Sequence, residues 1–246
     1  MKIKLRLDQK VHELYPTLSR TQIQSVIMQG KVTLNGRTCT KPGTQVPLDS
    51  VILVNLEEQK YVSRAGYKLE KALDEFGVDP VNLIVLDSGL STGGFSDCLL
   101  QRGAQKVYGI DVGYGQVHEK LRNDPRVVVM ERINLRNLES LQEKVDLVTL
   151  DLSFISLLKV MSAVKKLMKA DARLITLIKP QFEATREQVG KGGIITDSAL
   201  HTKIVTSVID GIEAQGFINK GLIESPILGA EGNKEFLAFF VQQPSP

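Results

Sequence analysis

Four ionisable side chains occupy positions from which they could act together on a hydroxyl group. Asp151 and Lys179 each follow an apolar stretch typical of a buried strand, Glu235 begins another, and Lys68 lies on a segment with helical periodicity. Carboxylates and amines held together can orient a poorly nucleophilic hydroxyl and help its proton to leave. Each residue also has a structural interpretation, as a helix-surface lysine, a strand cap, a loop lysine before proline or an edge-strand charge. Their joint placement favours catalysis.

Lys179 could act in either of two ways. A lysine is a base only when it is neutral, and burial beside a second cation favours the neutral form. Asp151 and Glu235 favour the cation, which would instead steer the hydroxyl and stabilise a developing alkoxide. The sequence does not choose between these roles.

Strands that end at one edge of a sheet would bring these residues together. From Val62 onward, apolar strands alternate with helical stretches, as in a doubly wound α/β domain whose ligands bind at the carboxyl ends of the strands. Seven strands are predicted, the last two as a hairpin-like pair, at 83–87, 106–111, 126–131, 145–151, 173–178, 220–226 and 235–241. Helices are predicted at 63–76, 95–102, 118–123, 157–168 and 199–215.

A glycine-rich loop follows the first of these strands. It reads Asp87-Ser88-Gly89-Leu90-Ser91-Thr92-Gly93-Gly94-Phe95, which is neither the dinucleotide fingerprint nor a P-loop with its lysine. The second strand ends at Asp111, whose carboxylate can accept both hydroxyls of a ribose. Together these features predict an adenosine-bearing cofactor without phosphates, S-adenosylmethionine. The predicted contacts are Ser88, Gly89, Ser91, Thr92, Gly93, Gly94, Phe95, Asp111, Asn134 and Asp151.

Two of the candidate side chains keep an alternative interpretation. Asn134 could pair with the adenine edge through its amide, or could simply begin a turn after the third strand. Phe182 could stack on a base flipped out of a helix, or could belong to the core.

The first 60 residues carry the excess positive charge of the chain. They hold nine Lys and Arg against five Asp and Glu, a net charge of +4, whereas the other 186 residues hold 22 against 23, a net charge of −1. Two short helices, an Asn35-Gly36 hairpin turn and a few strands are predicted here, with too small a core for chemistry. The segment therefore suits the binding of a polyanion, the alternative being a solvated lysine-rich surface.

Composition excludes several classes of protein. The 246 residues are 42% hydrophobic and 24% charged, which is ordinary for a globular protein. The apolar runs are far shorter than the roughly 20 residues of a membrane helix, and no secretory signal is visible at the start. Two cysteines and three scattered histidines suggest neither a disulfide framework nor a metal site. A soluble, cytoplasmic protein is expected.

Motifs in the first 60 residues resemble the alpha-L RNA-binding motif. They are Arg6-Leu7-Asp8, Ser19-Arg20, Gly30-Lys31 and Val32-Thr33-Leu34-Asn35-Gly36. The resemblance implies contacts with RNA phosphates and RNA shape rather than with base edges. The residues implied in these contacts are Arg6, Arg20, Lys31, Arg37 and Lys41.

The order Lys68, Asp151, Lys179, Glu235 is similar to the catalytic tetrad of the FtsJ-like ribose 2′-O-methyltransferases. The whole chain resembles the TlyA, or hemolysin-A-like, family, in which an alpha-L motif precedes such a domain. Further motifs that carry this resemblance are Ser91-Thr92-Gly93-Gly94-Phe95, Asp111-Val112-Gly113-Tyr114-Gly115-Gln116 and Val189-Gly190-Lys191-Gly192-Gly193. Leu90, where a small residue is usual, and Ala65, where glycine is frequent, depart from the pattern.

The resemblance implies a fold and a function. The fold is a Rossmann-like class I methyltransferase domain at 62–246, with a seven-stranded mostly parallel sheet, after a small α+β RNA-binding domain at 1–58. The function is methylation of ribosomal RNA on a ribose 2′-oxygen, on cytidine, with S-adenosylmethionine as cofactor. The implied partners are ribosomal RNA or ribosomal subunits, and no membrane. Which nucleotide and which subunit are modified stays open.

Two other functional classes were compared with this hypothesis. A non-catalytic RNA-binding or ribosome-assembly factor would not need the four ionisable residues. A membrane-active hemolysin would need long apolar or amphipathic segments and a secretion route, and the sequence shows neither.

Overall fold

A computed structural model of the protein describes residues 4–28, 30–55, 60–185, 187–229 and 232–243. The chain divides into two units, Met1–Glu58 and Gln59–Pro246. Residues 56–59, on which the predicted domain boundary falls, lie outside the described residues.

The first unit is built from two short helices and five short strands. Apolar side chains on one stripe of each helix are fully buried, Leu7 and Val11 on the first and Ile23 and Ile27 on the second. The predicted hairpin turn is confirmed: Leu34 pairs with Arg37 across Asn35 and Gly36, both at positive φ. The elements are β1 (Lys4–Arg6), α1 (Leu7–Leu14), α2 (Arg20–Met28), β2 (Val32–Leu34), β3 (Arg37–Thr38), β4 (Gln45–Pro47) and β5 (Ile52–Val54).

The second unit has the predicted doubly wound architecture. Its strands are β6 (Ile84–Ser88), β7 (Lys106–Asp111), β8 (Val127–Glu131), β9 (Val145–Leu150), β10 (Met168–Ile178), β11 (Phe217–Glu224) and β12 (Phe236–Gln242). They form one seven-stranded sheet in the order β11-β12-β10-β9-β6-β7-β8. In this sheet β12 runs in the opposite direction to the other six strands, so the prediction of a mostly parallel sheet is confirmed.

Helices cover both faces of this sheet. Val85 and Leu86 are adjacent on β6, yet they belong to two different buried clusters because successive side chains point to opposite faces. One cluster lies against α3 (Ala65–Glu75) and α4 (Gly94–Gln101), the other against α6 (Met161–Leu167) and α8 (Ser198–Glu213). Two short helices complete the unit, α5 (Glu119–Arg122) and α7 (Pro180–Glu183).

The helical stretch predicted near 157–168 is present, although it is not one continuous α-helix. The segment is a 3₁₀ turn at Leu157–Lys159 followed by α6, and Met168 already begins β10. Leu157, Met161 and Val164 all reach the core, so the apolar spacing continues through the 3₁₀ turn as if it were one helix. β10 starts earlier than predicted because its first residue pairs with Val145 before the register shifts.

Candidate active site

The strand register brings three of the four predicted catalytic residues to one edge of the sheet. Asp151 and Lys179 immediately follow β9 and β10, which are parallel neighbours. Glu235 immediately precedes β12, which is antiparallel to β10 and pairs Phe236 with Ile178. The start of β12 therefore lies at the carboxyl ends of β9 and β10, where α/β sheets bind their ligands.

Lys179 makes two contacts with the loop after β9. Its Nζ lies 2.6 Å from Asp151 Oδ1 and donates a hydrogen bond to Ser153 Oγ at 3.0 Å. The Lys179 and Asp151 side chains are only 11% and 17% exposed, so solvent screens the pair weakly. An ammonium group held in this way can present its remaining N–H to a further oxygen atom.

Lys68 and Glu235 form a second, more deeply buried pair. Lys68 Nζ donates to Glu235 Oε2 at 2.5 Å, and the two side chains are 8% and 4% exposed. Lys68 reaches this position from the second turn of α3, which packs against β12. The structure thus gathers the four predicted residues as two ion pairs, Lys179 with Asp151 and Lys68 with Glu235.

A cavity of about 510 Å³ opens beside Asp151. Six of the predicted cofactor contacts line it: Ser88, Gly89, Ser91, Asp111, Asn134 and Asp151. The other lining residues were not among the predicted contacts; they include Val112, Gly113, Gln116, Ile133, Leu135, Ser153, Phe154 and Ile155.

Asp111 is held in a fixed orientation at the end of β7. Its two carboxylate oxygens accept backbone N–H groups of Ser91 and Gly113, both at 2.7 Å. Because a carboxylate oxygen has more than one acceptor direction, each remains able to accept a ligand hydroxyl.

Gly89 has a backbone approach that only glycine tolerates. It lies at φ +90, and a Cβ atom there would stand 2.2 Å from the carbonyl oxygen of Asp151. Gly89 thereby keeps the β6 and β9 strand ends in contact beneath the cavity.

Thr92, Gly93, Gly94 and Phe95 do not line the cavity. A Cβ atom on Gly94 would lie 2.3 Å from Ser63 Oγ, so this glycine allows α4 to approach the start of α3. Phe95 is 3% exposed and belongs to the core under these helices. In this structure, this half of the loop packs helices rather than facing the cavity.

Leu90 and Asn134 also have clear surroundings. Leu90 is buried and packs over Gly109 in the core, so its bulk does not reduce the cavity. Asn134 lines the cavity while its Oδ1 accepts the N–H of Arg136, which caps the 3₁₀ turn after β8. The Asn134 side-chain oxygen therefore serves the turn. The Asn134 side-chain nitrogen has N–H groups of the kind that a nitrogen acceptor on the adenine edge would need.

Phe154 is an exposed aromatic side chain at the mouth of the cavity. It is 90% exposed, adopts φ 63, and its ring centroid lies 4.9 Å from that of Phe182. Lys179 Nζ lies 5.9 Å from the Phe182 ring centroid. The sequence signal was present, since Phe154 follows the strand-end group Asp151-Leu152-Ser153, but exposure could not be read from it.

Asp87 is a buried carboxylate behind the site. It is 1% exposed and accepts hydrogen bonds from the hydroxyls of Ser96 at 2.6 Å and Thr149 at 2.9 Å. Burial raises the pKa of Asp87 to about 6, against the lowering effect of the Ser96 and Thr149 hydroxyls.

We expect Asp87→Asn to change how stability depends on pH. Because the pKa of Asp87 is raised on folding, the folded protein binds a proton more tightly, and this stabilisation is present below pH 4 and lost as pH rises through 6. An asparagine side chain does not titrate, so the variant does not lose this stabilisation as pH rises. The unfolding free energy of the variant minus that of wild type should therefore increase by about 2–3 kcal/mol between pH 4 and pH 7. Urea unfolding at several pH values measures the difference, and a difference independent of pH would contradict the prediction.

The predicted RNA-binding residues of the first unit differ in availability. Arg6 donates to Asp8 through Nε at 3.0 Å and Nη2 at 2.7 Å, and this hydrogen bonding holds the pKa of the buried Asp8 below its usual value. Arg20, Arg37 and Lys41 are exposed, and Lys31 is half-buried. Much of the Arg6 guanidinium is thus engaged within the protein.

Within the part of the chain that the structure describes, no helix combines the length and apolar character needed to cross a membrane.

Comparison with known proteins identifies both units. Residues 61–241 match the FtsJ-like methyltransferase model, and residues 5–52 match the S4 domain model. Hemolysin A of Brachyspira hyodysenteriae is 45% identical over 96% of this chain and 100% of its own length. The 16S/23S rRNA (cytidine-2′-O)-methyltransferase TlyA of Mycobacterium tuberculosis is 42% identical over 92% of this chain and 85% of its own length. A solved structure from Streptococcus thermophilus that carries the name hemolysin superposes with a TM-score of 0.78 at 39% identity, covering 100% of this chain and 91% of that one.

The FtsJ-like model spans most of the chain, and the relatives align over both units. The chain therefore belongs to the FtsJ-like methyltransferase family, carries an S4 domain ahead of the methyltransferase domain, and groups with the hemolysin A and TlyA proteins.

Proposed function

We propose that this protein is an S-adenosylmethionine-dependent methyltransferase that modifies a cytidine ribose 2′-oxygen in ribosomal RNA. The observation that carries the proposal is Lys179 Nζ, held between Asp151 Oδ1 and Ser153 Oγ beside the cavity. The name of the TlyA relative supports the substrate, and a ribosomal substrate would place the protein in the cytoplasm.

The cavity suits a cationic, adenosine-bearing cofactor. Among the described residues that line it, the charged side chains are both carboxylates, Asp111 and Asp151. Carboxylates favour a sulfonium ligand and disfavour phosphate groups. Asp111 would accept the ribose hydroxyls, and Asn134 would hold the adenine edge. When bound, the cofactor supplies an electrophilic methyl group.

The residues of the two ion pairs would prepare the acceptor hydroxyl. We assign Lys179, whose Nζ lies 2.6 Å from Asp151 Oδ1, the role of an ammonium group that would orient the hydroxyl and stabilise the negative charge that develops on its oxygen. Because an ammonium group cannot take up a further proton, Asp151 Oδ1 would accept the proton that leaves the hydroxyl. Lys68 and Glu235 would hold the neighbouring strand end in place, and Phe154 would present an aromatic face to the nucleotide base.

The test is transfer of labelled methyl from S-adenosylmethionine to ribosomal RNA, to each ribosomal subunit and to intact ribosomes. We expect mass-spectrometric mapping to find the label on a cytidine 2′-oxygen. Label on a base, or none with any of these substrates, would refute the proposal.

The S4 domain is proposed to supply much of the RNA affinity, since the rest of the chain has a net charge of −1. We expect the triple substitution Arg20→Gln, Arg37→Gln, Lys41→Gln to weaken RNA binding at low salt. Each phosphate contact that is lost should reduce the slope of log affinity against log salt by about one unit. Fluorescence anisotropy with a labelled ribosomal RNA fragment measures both quantities.

Two further variants complete this comparison. Arg6→Gln should change the slope less, because Asp8 already engages the Arg6 guanidinium. Lys166→Gln removes an exposed, ion-paired lysine outside the S4 domain and serves as the control. An unchanged slope in the triple variant would exclude these side chains from RNA binding.

A further inference from the structure

Glu183 has no part in the proposed chemistry, yet it joins two segments that carry it. It is the last residue of α7, which begins directly after Lys179. Its Oε1 accepts the backbone N–H of Leu157 at 2.8 Å. Leu157 begins the 3₁₀ turn that ends the loop 151–156, so the hydrogen bond ties the far end of this loop to α7.

Besides the packing of Leu152 and Ile155 against the core, the loop 151–156 has side-chain attachments within the site itself. Lys179 contacts Asp151 and Ser153, and the Phe154 ring lies against the Phe182 ring. A bound nucleotide would compete for several of these contacts. The Glu183 hydrogen bond lies outside the cavity lining and would persist while the site is in use.

The surroundings of Glu183 make this hydrogen bond demanding to replace. Leu157 is 2% exposed, and a buried N–H without an acceptor is costly. Burial raises the pKa of Glu183, while hydrogen bonds from the Leu157 N–H and the Ser156 hydroxyl oppose that effect. The same hydrogen bonds therefore fix the position of the Glu183 carboxylate and the position of the loop end.

We propose that Glu183 is a positioning residue, which holds the loop 151–156 so that Ser153 and Phe154 keep their places beside Lys179. This inference rests on the proposed function, because it assigns these two side chains to the acceptor nucleotide. Its structural part, the order of the loop, can be measured without any substrate.

The chain contains no tryptophan, so Phe154→Trp places a single fluorescent reporter on the loop. In this background, Glu183→Ala should lower the anisotropy of the reporter and increase its quenching by acrylamide. Glu183→Gln keeps an acceptor oxygen at the same distance along the side chain and should match the parent. Glu139→Ala, which removes a glutamate that is 76% exposed, is the control.

Kinetics then test the consequence for methyl transfer. In the chain with Phe154 intact, Glu183→Ala should lower kcat about tenfold to a hundredfold, because a displaced side chain no longer aligns the acceptor. S-adenosylmethionine affinity by calorimetry should fall by a smaller factor, since most of the cavity wall lies on other segments of the chain. Glu183→Gln should restore most of kcat.

Several outcomes would overturn the proposal. One is an unchanged reporter together with an unchanged kcat in Glu183→Ala, and another is equal impairment in the Ala and Gln variants. If Glu183→Ala does not fold, Glu183→Asp replaces it, and its shorter side chain should also loosen the reporter; a reporter as ordered as the parent would refute the assignment. If the wild-type chain methylates no ribosomal RNA, the proposed function fails, while the fluorescence comparison still decides the role of Glu183.

Discussion

Lys179→Ala is expected to abolish methyl transfer while leaving cofactor binding intact. Lys179 supplies the N–H groups that would stabilise the negative charge on the acceptor oxygen, while Asp151 accepts the proton. Loss of one donor that stabilises a developing oxyanion typically costs a factor of 10²–10³, so kcat should fall by about two to three orders of magnitude. Lys179 does not line the cavity, and the S-adenosylmethionine dissociation constant measured by calorimetry should therefore change little.

A second substitution separates the two roles that the sequence left open for Lys179. Lys179→Arg keeps a positive charge but cannot become a neutral base. If Lys179 acts as a cation beside Asp151, as we propose, the Arg variant should retain more activity than the Ala variant. Equal inactivity of both would favour the neutral base, and a wild-type rate in Lys179→Ala would remove this lysine from the mechanism.

Lys166→Ala is a suitable control for this series. Lys166 is a lysine of the same unit whose side chain is 54% exposed and paired with an exposed glutamate. Its loss should change neither kcat nor cofactor affinity.

The sequence predicted the edge of the sheet on which the site lies, because polar residues that follow buried strands mark strand ends. Asp151 and Lys179 could each be placed at such an end without any knowledge of strand order, whereas Glu235 precedes its strand and reaches this edge only because β12 is antiparallel to β10. Their pairing could not be predicted in this way. It depends on β12 lying antiparallel beside β10, and Lys68 and Glu235 are 167 positions apart.

Glycines illustrate a different limit of prediction. Gly89 and Gly94 belong to one loop, and the sequence assigned both to the cofactor. In the structure, Gly89 lines the cavity, whereas Gly94 accommodates the start of α3. At each of these positions a Cβ atom would clash with a neighbouring backbone or side-chain atom. A glycine in the sequence therefore does not show whether the close neighbour is a ligand or another helix.

Side-chain exposure is a third quantity that the sequence did not contain. Phe154 and Phe182 have the same chemistry, but Phe154 is 90% exposed, at a position of positive φ in the loop after β9, and Phe182 is half-buried. Arg6 and Arg20 likewise appeared equivalent as RNA contacts, and only the structure shows that Asp8 engages Arg6.

Single and double Met variants of Lys68 and Glu235 should show whether this ion pair serves stability alone or also activity. Lys68→Met leaves a buried carboxylate without its partner, which should lower the free energy of unfolding by about 3–5 kcal/mol. Glu235→Met leaves a buried ammonium and should cost a similar amount. In the double variant no uncompensated charge remains, so we expect most of that stability to return.

Activity should not return with stability. If the pair serves only the fold, the restabilised double variant should methylate RNA at a near wild-type rate. We expect instead a kcat at least about a hundredfold below wild type, because the polar groups that hold the first residues of β12 beside the acceptor nucleotide are gone. Urea unfolding and methyl-transfer kinetics on the same four proteins form the double-mutant cycle.

Lys71 and Glu75 provide an internal control on the same helix. They form an exposed pair at 2.7 Å, with side chains 41% and 51% exposed, and Lys71→Met should cost no more than about 0.5 kcal/mol. If Lys68→Met lowered the free energy of unfolding by as little as Lys71→Met does, burial would give the Lys68–Glu235 pair no greater effect on stability than an exposed pair has. A double variant with full activity would remove Lys68 and Glu235 from the catalytic site and leave Lys179 and Asp151 to act alone.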